Sequence, residues 1–102
     1  MDFWRVKRKE TRVYLAIPVI IEGLDAENQE FREETTTENV SKSGASIVVG
    51  RALKLGSIVN LTALQGKFTC KAEVKAVWID DIEKKKKVGV RFLDAPVGWV
   101  VN

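Results

Sequence analysis

Short runs of β-branched and aromatic residues, separated by polar turns, recur along the chain. Runs of this composition and length are typical of β-strands. No segment has the apolar repeat of three and four residues that an amphipathic helix requires. About six strands are predicted, and their spacing favours an antiparallel barrel or sandwich. The predicted strands are 13–21, 31–40, 45–49, 57–64, 67–79 and 88–93.

The strand predicted at 67–79 has the clearest alternation of apolar and polar residues. A period of two places every second residue on a single face, which we expect to point into the core. Trp78 is therefore predicted to pack inside the protein, and contact with a ligand is the alternative interpretation. The residues predicted to share the inner face are Phe68, Cys70, Ala72, Val74, Ala76 and Trp78.

Glycine, proline and runs of charge mark the connections between the strands. Gly56 is expected to adopt the positive φ of a chain reversal. Pro18 interrupts the first predicted strand, where its missing N–H requires an edge or a bulge. Residues 80–87 are predicted to form a charged loop, whose four lysines at 84–87 hinder association through strand edges. A patch for nucleic acid or an anionic membrane is the alternative for these lysines.

The length of 102 residues suits one compact domain. We divide the chain into an N-terminal arm (1–12), a barrel or sandwich (13–94) and a tail (95–102). The tail is too short for more than a turn or one docked helical segment. The single cysteine, Cys70, falls on the predicted inner face, which indicates a buried structural thiol. No apolar run is long enough to span a bilayer, and a reducing, cytoplasmic setting is expected.

The sequence lacks the usual chemistry of an enzyme. It contains no histidine, which removes the commonest general base and every Ser-His or Cys-His pair. One cysteine without histidine also excludes a Cys/His zinc site within one chain. Asp80 and Asp81 are adjacent carboxylates, but neighbours on an extended strand point to opposite faces. We expect a protein without catalytic activity, metal or cofactor.

Charge is distributed unevenly, although the formal net charge is only +3. Five basic residues lie between Arg5 and Arg12 against one acidic residue. Seven acidic residues lie between Glu22 and Glu38 against one arginine. This asymmetry predicts a flexible basic arm near an acidic hairpin, so that a bound anion can decide where the arm lies.

Two short segments carry residues that suit a ligand with phosphates and guanines. Arg8 and Arg12 lie four residues apart in the arm, and guanidinium groups bind phosphate oxygens and the O6/N7 edge of guanine. The second segment places an amide (Asn39), a hydroxyl (Ser41) and a glycine (Gly44) at a strand end. The glycine permits close approach of a planar group. Taken singly, the segments could be a solvated arm and a polar turn.

In combination, the two segments resemble the paired RxxxR and [D/N]xSxxG motifs of the PilZ family. The similarity continues through the Pro18-Val19 step and through Leu55-Gly56-Ser57-Ile58-Val59-Asn60-Leu61. It includes residues 74–78 followed by 88–92, and so covers nearly the whole chain. The resemblance implies a six-stranded antiparallel β-barrel that binds cyclic di-GMP on its outer surface.

The same resemblance implies roles for individual residues. Arg8 and Arg12 are expected to hold phosphates and guanine edges while the arm wraps around the ligand. Asn39, Ser41 and Gly44 are expected to form the floor of the site. Further candidates for ligand contact are Lys7, Lys9, Ser43 and Trp78.

The second motif begins with Asn39, where other versions of the pattern have an aspartate. A carboxylate accepts hydrogen bonds from both N1–H and N2–H of guanine, whereas an amide offers one acceptor oxygen and a donor. The pattern admits asparagine, so we expect binding that is weaker than with aspartate. Lys7, immediately before the first arginine, is expected to influence how many ligand molecules bind.

The predicted function is a receptor module for cyclic di-GMP that acts through an unidentified partner protein or a fused domain. The alternative is a barrel of the same family that binds proteins and no nucleotide, against which the intact motifs argue. A barrel for single-stranded nucleic acid is disfavoured, because the aromatic residues fall mostly on predicted core positions and the acidic segment repels a polyanion. Both a monomer and a ligand-linked dimer are compatible with the sequence.

Overall fold

The computed structural model describes residues 13–64 and 69–94, which form one antiparallel β-sheet. The six longer strands close into a barrel, because the two outermost of these six strands also pair with each other. The predicted six-stranded antiparallel barrel is therefore confirmed. The strands are β1 (Val13–Tyr14), β2 (Pro18–Leu24), β3 (Glu30–Val40), β4 (Gly44–Val49), β5 (Ile58–Ala63), β6 (Thr69–Ile79) and β7 (Lys86–Phe92).

The spatial order of the six longer strands is β3-β2-β5-β6-β7-β4, and β4 also pairs with β3. The short β1 lies beside the last two residues of β3. Alternating apolar residues fill the interior, and Ile21, Ile47 and Leu61 from three different strands are fully buried. Burial of each such side chain contributes about 1.5–3 kcal/mol relative to its exposed state.

Cys70 in β6 belongs to this core, as predicted. Burial, together with the nearby charge of Asp94, raises the pKa of its thiol to about 11. The thiol is therefore protonated at neutral pH, where it is a poor nucleophile.

The prediction of one continuous strand over residues 13–21 is wrong, because the strand is interrupted before Pro18. The buried hydroxyl of Thr37 donates to the carbonyl oxygen of Leu15 at 2.6 Å and accepts from the N–H of Ile17 at 2.9 Å. A side chain thus takes the place of backbone partners between β1 and β2. Pro18 then begins β2, and the first position of a strand tolerates the missing N–H.

A bulge at Lys75 reverses the faces of the β6 residues that follow it. The register with β7 shifts between Val74 and Ala76, which leaves Lys75 as the extra residue. Ala76 and Trp78 consequently point outward, and Trp78 is 42% exposed. The predictions that Trp78 and Ala76 lie in the core are therefore wrong, since the alternation does not continue across the bulge. Phe68 lies outside the described residues.

A second bulge, at Glu38, interrupts β3. Thr37 and Val40 are buried and point inward. The extra residue between them leaves both Glu38 and Asn39 on the outer surface. The first residue of the predicted ligand motif is thus displayed outward beside a carboxylate.

The charged loop after β6 is shorter than predicted. Asp80 accepts the backbone N–H groups of Ile82 and Glu83 at 2.8 and 2.7 Å and so forms the turn. Lys86 and Lys87 already belong to β7, so the prediction of a loop through residue 87 is wrong at its end. The turn at Gly56 is as predicted, with a φ of 85°.

The arm (1–12) and the tail (95–102) lie outside the described residues, as do residues 65–68. The expectations of a flexible arm and of a short helical turn in the tail therefore stay predictions. In the part of the chain that the structure describes, no helix is long and apolar enough to cross a membrane.

Candidate functional site

A row of small residues crosses the outer face of the barrel from β3 to β6. Asn39 pairs with Ser46 in β4, and Ser46 pairs with Gly89 in β7. Gly89 in turn pairs with Ala76 in β6. Paired residues of antiparallel strands point to the same face. This row, Asn39–Ser46–Gly89–Ala76, forms a floor of mostly short side chains, in which Ser46 is only 6% exposed.

The indole of Trp78 covers the Gly89 part of this floor. A Cβ built on Gly89 would lie 3.6 Å from Cζ3 of the Trp78 indole, so the ring packs against the glycine backbone. An exposed indole next to polar groups offers a face on which a purine base can stack. Contact between Trp78 and a ligand stays a prediction, and the outer position of the ring is compatible with it.

The connection from β3 to β4 is shaped by Ser41. Its N–H donates to the carbonyl oxygen of Gly44 at 2.9 Å, and its hydroxyl lies 3.5 Å from the same oxygen. Ser41 is only 8% exposed, whereas Asn39 and Ser43 are partly exposed. Asn39 and Ser43 are therefore the more accessible polar groups of the motif, and Ser41 acts first of all within the turn.

Gly44 is buried where β4 meets β7. A side chain on this residue would collide with the carbonyl oxygen of Val90. The barrel itself therefore requires glycine here, for a reason separate from the ligand approach that the sequence suggests. Arg91 pairs with Gly44 and is exposed, which places an additional arginine beside the motif.

Lys87 lies on the outer face, paired with Trp78, yet its side chain is only 7% exposed. Its Nζ lies 2.9 Å from a carboxylate oxygen of Glu38 and 3.0 Å from one of Asp80. The hydrogen bond to Glu38, followed by that to Asp80, raises the pKa of Lys87 to about 12. The ammonium group thus ties the bulge beside Asn39 to the β6–β7 turn.

The same network acts on Asp80. The backbone N–H of Glu83 and then the bond to Lys87 lower the pKa of Asp80 to about 2. Asp80 is therefore ionised at every physiological pH, and its negative charge is held by a turn and a lysine. The carboxylate thus has a structural role in the turn.

Two acidic residues near the β2–β3 turn share one arginine. Arg51 lies 3.4 Å from an oxygen of Asp25 and 3.6 Å from one of Glu33. Its guanidinium carbon also lies 5.1 Å from the centre of the Phe31 ring. Asp25 precedes the first residue of β3, whereas Asn39 is near the last, so the two lie at opposite ends of the strand. This ion-paired turn is therefore separate from the row at Asn39.

Sequence reasoning missed four residues that shape this surface. A signal existed for Ser46, which is a polar residue within an otherwise apolar strand. No comparable signal marked Lys87, because nothing in a run of lysines distinguishes the buried one from the exposed ones. The missed residues are Glu38, Ser46, Lys87 and Gly89.

Four predicted ligand contacts lie outside the described residues, namely Lys7, Arg8, Lys9 and Arg12. The described chain nevertheless begins at this surface, since Val13 pairs with Val40 and Tyr14 pairs with Asn39. Across the described ranges, no three acidic or cysteine side chains converge in a way that could hold a metal ion.

Several solved structures share this fold. The Bacillus subtilis Inhibitor of motility (MotI/DgrA) has a TM-score of 0.74 and 20% identity, over 90% of this chain and 44% of its own. Escherichia coli YcgR in complex with c-di-GMP has a TM-score of 0.62 and 17% identity, over 86% of this chain and 38% of its own. The PilZ domain of YcgR with c-di-GMP has the same score and identity and is covered over 79%.

The chain spans less than half of the first two of these proteins. No curated protein sequence matches it. The model of the PilZ domain matches residues 6–98, a range that includes both predicted motifs and the whole described barrel. This chain belongs to the PilZ domain family.

Proposed function

We propose that this domain binds cyclic di-GMP on the outer face of the barrel. The observation that carries the proposal is the pairing of Tyr14, near the start of the described chain, with Asn39. The chain enters β1 beside Asn39, so the arm with Arg8 and Arg12 is joined to the barrel at the edge of the row Asn39–Ser46–Gly89–Ala76. Membership in the PilZ family and the c-di-GMP bound to YcgR support the choice of ligand.

In the proposed complex, Arg8 and Arg12 supply charge-assisted hydrogen bonds to phosphates and guanine edges. Asn39 and Ser43 offer polar groups from the barrel, and the turn held by Ser41 and Gly44 fixes their positions. A guanine lies beside Asn39, at the β3 end of the row. Further contacts come from Lys7, Lys9 and the indole of Trp78.

The domain acts as a binding module without catalysis, working in the cytoplasm. Residues 1–12 form the arm that takes up the ligand, residues 13–94 the barrel, and residues 95–102 a tail. Ligand binding changes the position of the arm and thereby the surface offered to a partner protein or fused domain. A monomer with one or two ligands and a dimer linked by ligand are both consistent with an open outer face.

Isothermal titration with cyclic di-GMP tests the proposal. We expect micromolar or tighter binding by the full chain, and binding at least about 100-fold weaker for the Arg8→Ala/Arg12→Ala double variant. The loss follows from removing two charge-assisted interactions, each of about 1.5–3 kcal/mol. The fitted stoichiometry counts the ligands per chain.

A Lys54→Ala/Lys71→Ala double variant is the matched control, because it removes the same charge from two exposed lysines outside both motifs. Equal weakening by both double variants would mean that Arg8 and Arg12 act only through their positive charge and not through specific contacts with the ligand. Absence of heat and of thermal stabilisation at high ligand excess would favour instead the barrel that binds proteins and no nucleotide.

Asn39→Asp is expected to tighten cyclic di-GMP binding roughly tenfold, since a carboxylate makes stronger hydrogen bonds to the two guanine donors than an amide does. The neighbouring Glu38 opposes the change only in part, because it shares the ammonium group of Lys87 with Asp80. Titration of both proteins measures the effect, with Asn39→Ala as the variant that lacks either group. Unchanged or reduced affinity of the aspartate variant contradicts the role assigned to Asn39.

A further inference from the structure

One edge of β6 is left open at the end of the barrel. β5 pairs with β6 only as far as Glu73, opposite Ile58. Beyond the bulge, β6 continues to Ile79 and pairs only with β7 among the described strands. The segment 75–79 therefore has one paired edge and one edge without a strand in the described part of the chain. Unpaired edges of this kind are templates for the addition of a further strand.

The backbone groups at this edge can be assigned from Val74. Its N–H donates to Ser57 at 2.9 Å and its carbonyl oxygen accepts from Gly56 at 2.8 Å, so an inward-facing residue of β6 directs its amide groups to the β5 side. Val77 faces inward as well, because it pairs with the buried Val88. Side chains and amide groups alternate together along a strand. The N–H and C=O groups of Val77, and of Ile79 two residues later, therefore point to the open edge.

An apolar groove runs along this edge. It has a volume of about 340 Å³ and lies between the end of β6 and the connection from β4 to β5. Val77 and Ile79 are 42% and 60% exposed, although they face the side of the sheet that elsewhere forms the core. The groove is lined by Val49, Arg51, Ala52, Leu53, Val77, Trp78, Ile79, Lys86, Lys87 and Val88.

Lysines slightly outnumber carboxylates at the rim of the groove. Lys86 lines it, and Lys84 and Lys85 precede Lys86 in the turn. All three are exposed, and none of them forms an ion pair with another described residue. Lys87 is different, since Glu38 and Asp80 already balance its charge. Asp81 and Glu83 are exposed in the same turn, so the three lysines leave an excess of one positive charge beside the open edge.

We propose that this edge binds an extended segment of a partner protein in which acidic and apolar residues alternate. The segment adds to β6 as a strand, its backbone pairs with Val77 and Ile79, its apolar side chains enter the groove, and its carboxylates meet the lysines. Strand addition of this kind takes affinity from the main chain and specificity from alternate side chains.

This inference does not depend on nucleotide binding, because the edge and the groove belong to the described barrel. It is therefore tested without cyclic di-GMP. The probe is an acetylated and amidated heptapeptide of alternating glutamate and valine, added to the ¹⁵N-labelled full chain. We expect saturable shifts of the amide resonances of Val77, Ile79 and Lys86, and little change in β2 and β5.

Two altered peptides test the mode of binding. The same peptide with alternate backbone nitrogens methylated cannot pair with a strand, and we expect its binding to be lost. A peptide with lysine in place of glutamate is expected to bind far more weakly. Equal binding of the methylated peptide, or no shift at millimolar glutamate-valine peptide, would falsify the proposal.

Two protein variants test the surface. Ile79→Pro removes one N–H from the open edge, a change that edge strands tolerate, and is expected to weaken binding of the heptapeptide severalfold. Lys85→Glu/Lys86→Glu is expected to do the same and to restore binding of the lysine-valine peptide. Lys42→Glu/Lys71→Glu is the control of equal charge away from the groove. Thermal unfolding verifies that each variant is folded, and sedimentation that shows self-association through this edge would overturn the assignment to a partner.

Discussion

Lys87→Met lowers the midpoint of thermal unfolding by about 10 °C or more. This is the largest loss of stability that we expect from a single substitution on the outer face of the barrel. Methionine fills the volume of the lysine stem but leaves the carboxylates of Glu38 and Asp80 without their shared ammonium group. Glu38 and Asp80 are 35% and 27% exposed, so their charges stay partly shielded from water, and removing their shared partner costs more than removing an exposed lysine.

Lys85→Met is the matched control for this prediction, since Lys85 lies in the same hairpin and is exposed. We expect it to change the midpoint by no more than about 2 °C. The triple variant Lys87→Met/Glu38→Gln/Asp80→Asn is expected to recover part of the loss, as the unbalanced charges are then gone. A midpoint for Lys87→Met equal to that of Lys85→Met would contradict the role of the cluster.

The effect of Lys87→Met also depends on pH in a definite direction. The raised pKa of Lys87 means that its contribution is complete below the ordinary value of 10.5 and is lost as pH rises through about 12. The lowered pKa of Asp80 means that its contribution is complete above the ordinary value of 3.8 and is lost as pH falls through about 2. The difference between wild type and variant is therefore constant between about pH 4 and pH 10 and decreases outside this window.

Gly44→Ala destabilises the domain by about 1–3 kcal/mol, because the added Cβ collides with the carbonyl oxygen of Val90. A backbone atom in a closed barrel cannot move aside as the end of a flexible side chain can. Urea unfolding followed by tryptophan fluorescence measures the change in the free energy of unfolding. Because no ligand is present in this measurement, a loss of stability shows that the barrel needs this glycine for a reason other than ligand contact.

Gly89→Ala provides the comparison, since Gly89 lies on the outer face one strand away. A Cβ there would be 3.6 Å from Ala76 and from Trp78, which are ordinary contact distances. We expect it to leave the free energy of unfolding within about 0.5 kcal/mol of wild type. Similar losses for the two alanine variants would show that the close approach of β4 and β7 does not decide the choice of glycine.

Most strands could be predicted from local patterns, because the alternation of apolar residues directly reflects which side chains face the core. The inner positions of Cys70, Ala72 and Val74 follow from this alternation alone. The turn at Gly56 follows from the conformational freedom of glycine. The two ligand motifs could also be recognised, since they depend on residue types at short, fixed spacings.

The two bulges could not be predicted. An extra residue at Lys75 or Glu38 leaves no mark in the local composition, because a bulge arises where two strands of different curvature must stay paired. Trp78 therefore points outward against the alternation of its own strand. Asn39 owes its outward orientation to the other bulge.

By itself, the sequence determined the fold class, the core positions up to the first irregularity and the family motifs, since each depends on residues close together in the chain. The tertiary structure decided which lysine of four is buried, because Lys87 alone meets Glu38 from a strand far away in sequence. It also decided that β6 extends beyond its pairing with β5 and therefore has an open edge. Such features depend on strand lengths and registers, which long-range pairing sets and no local pattern encodes.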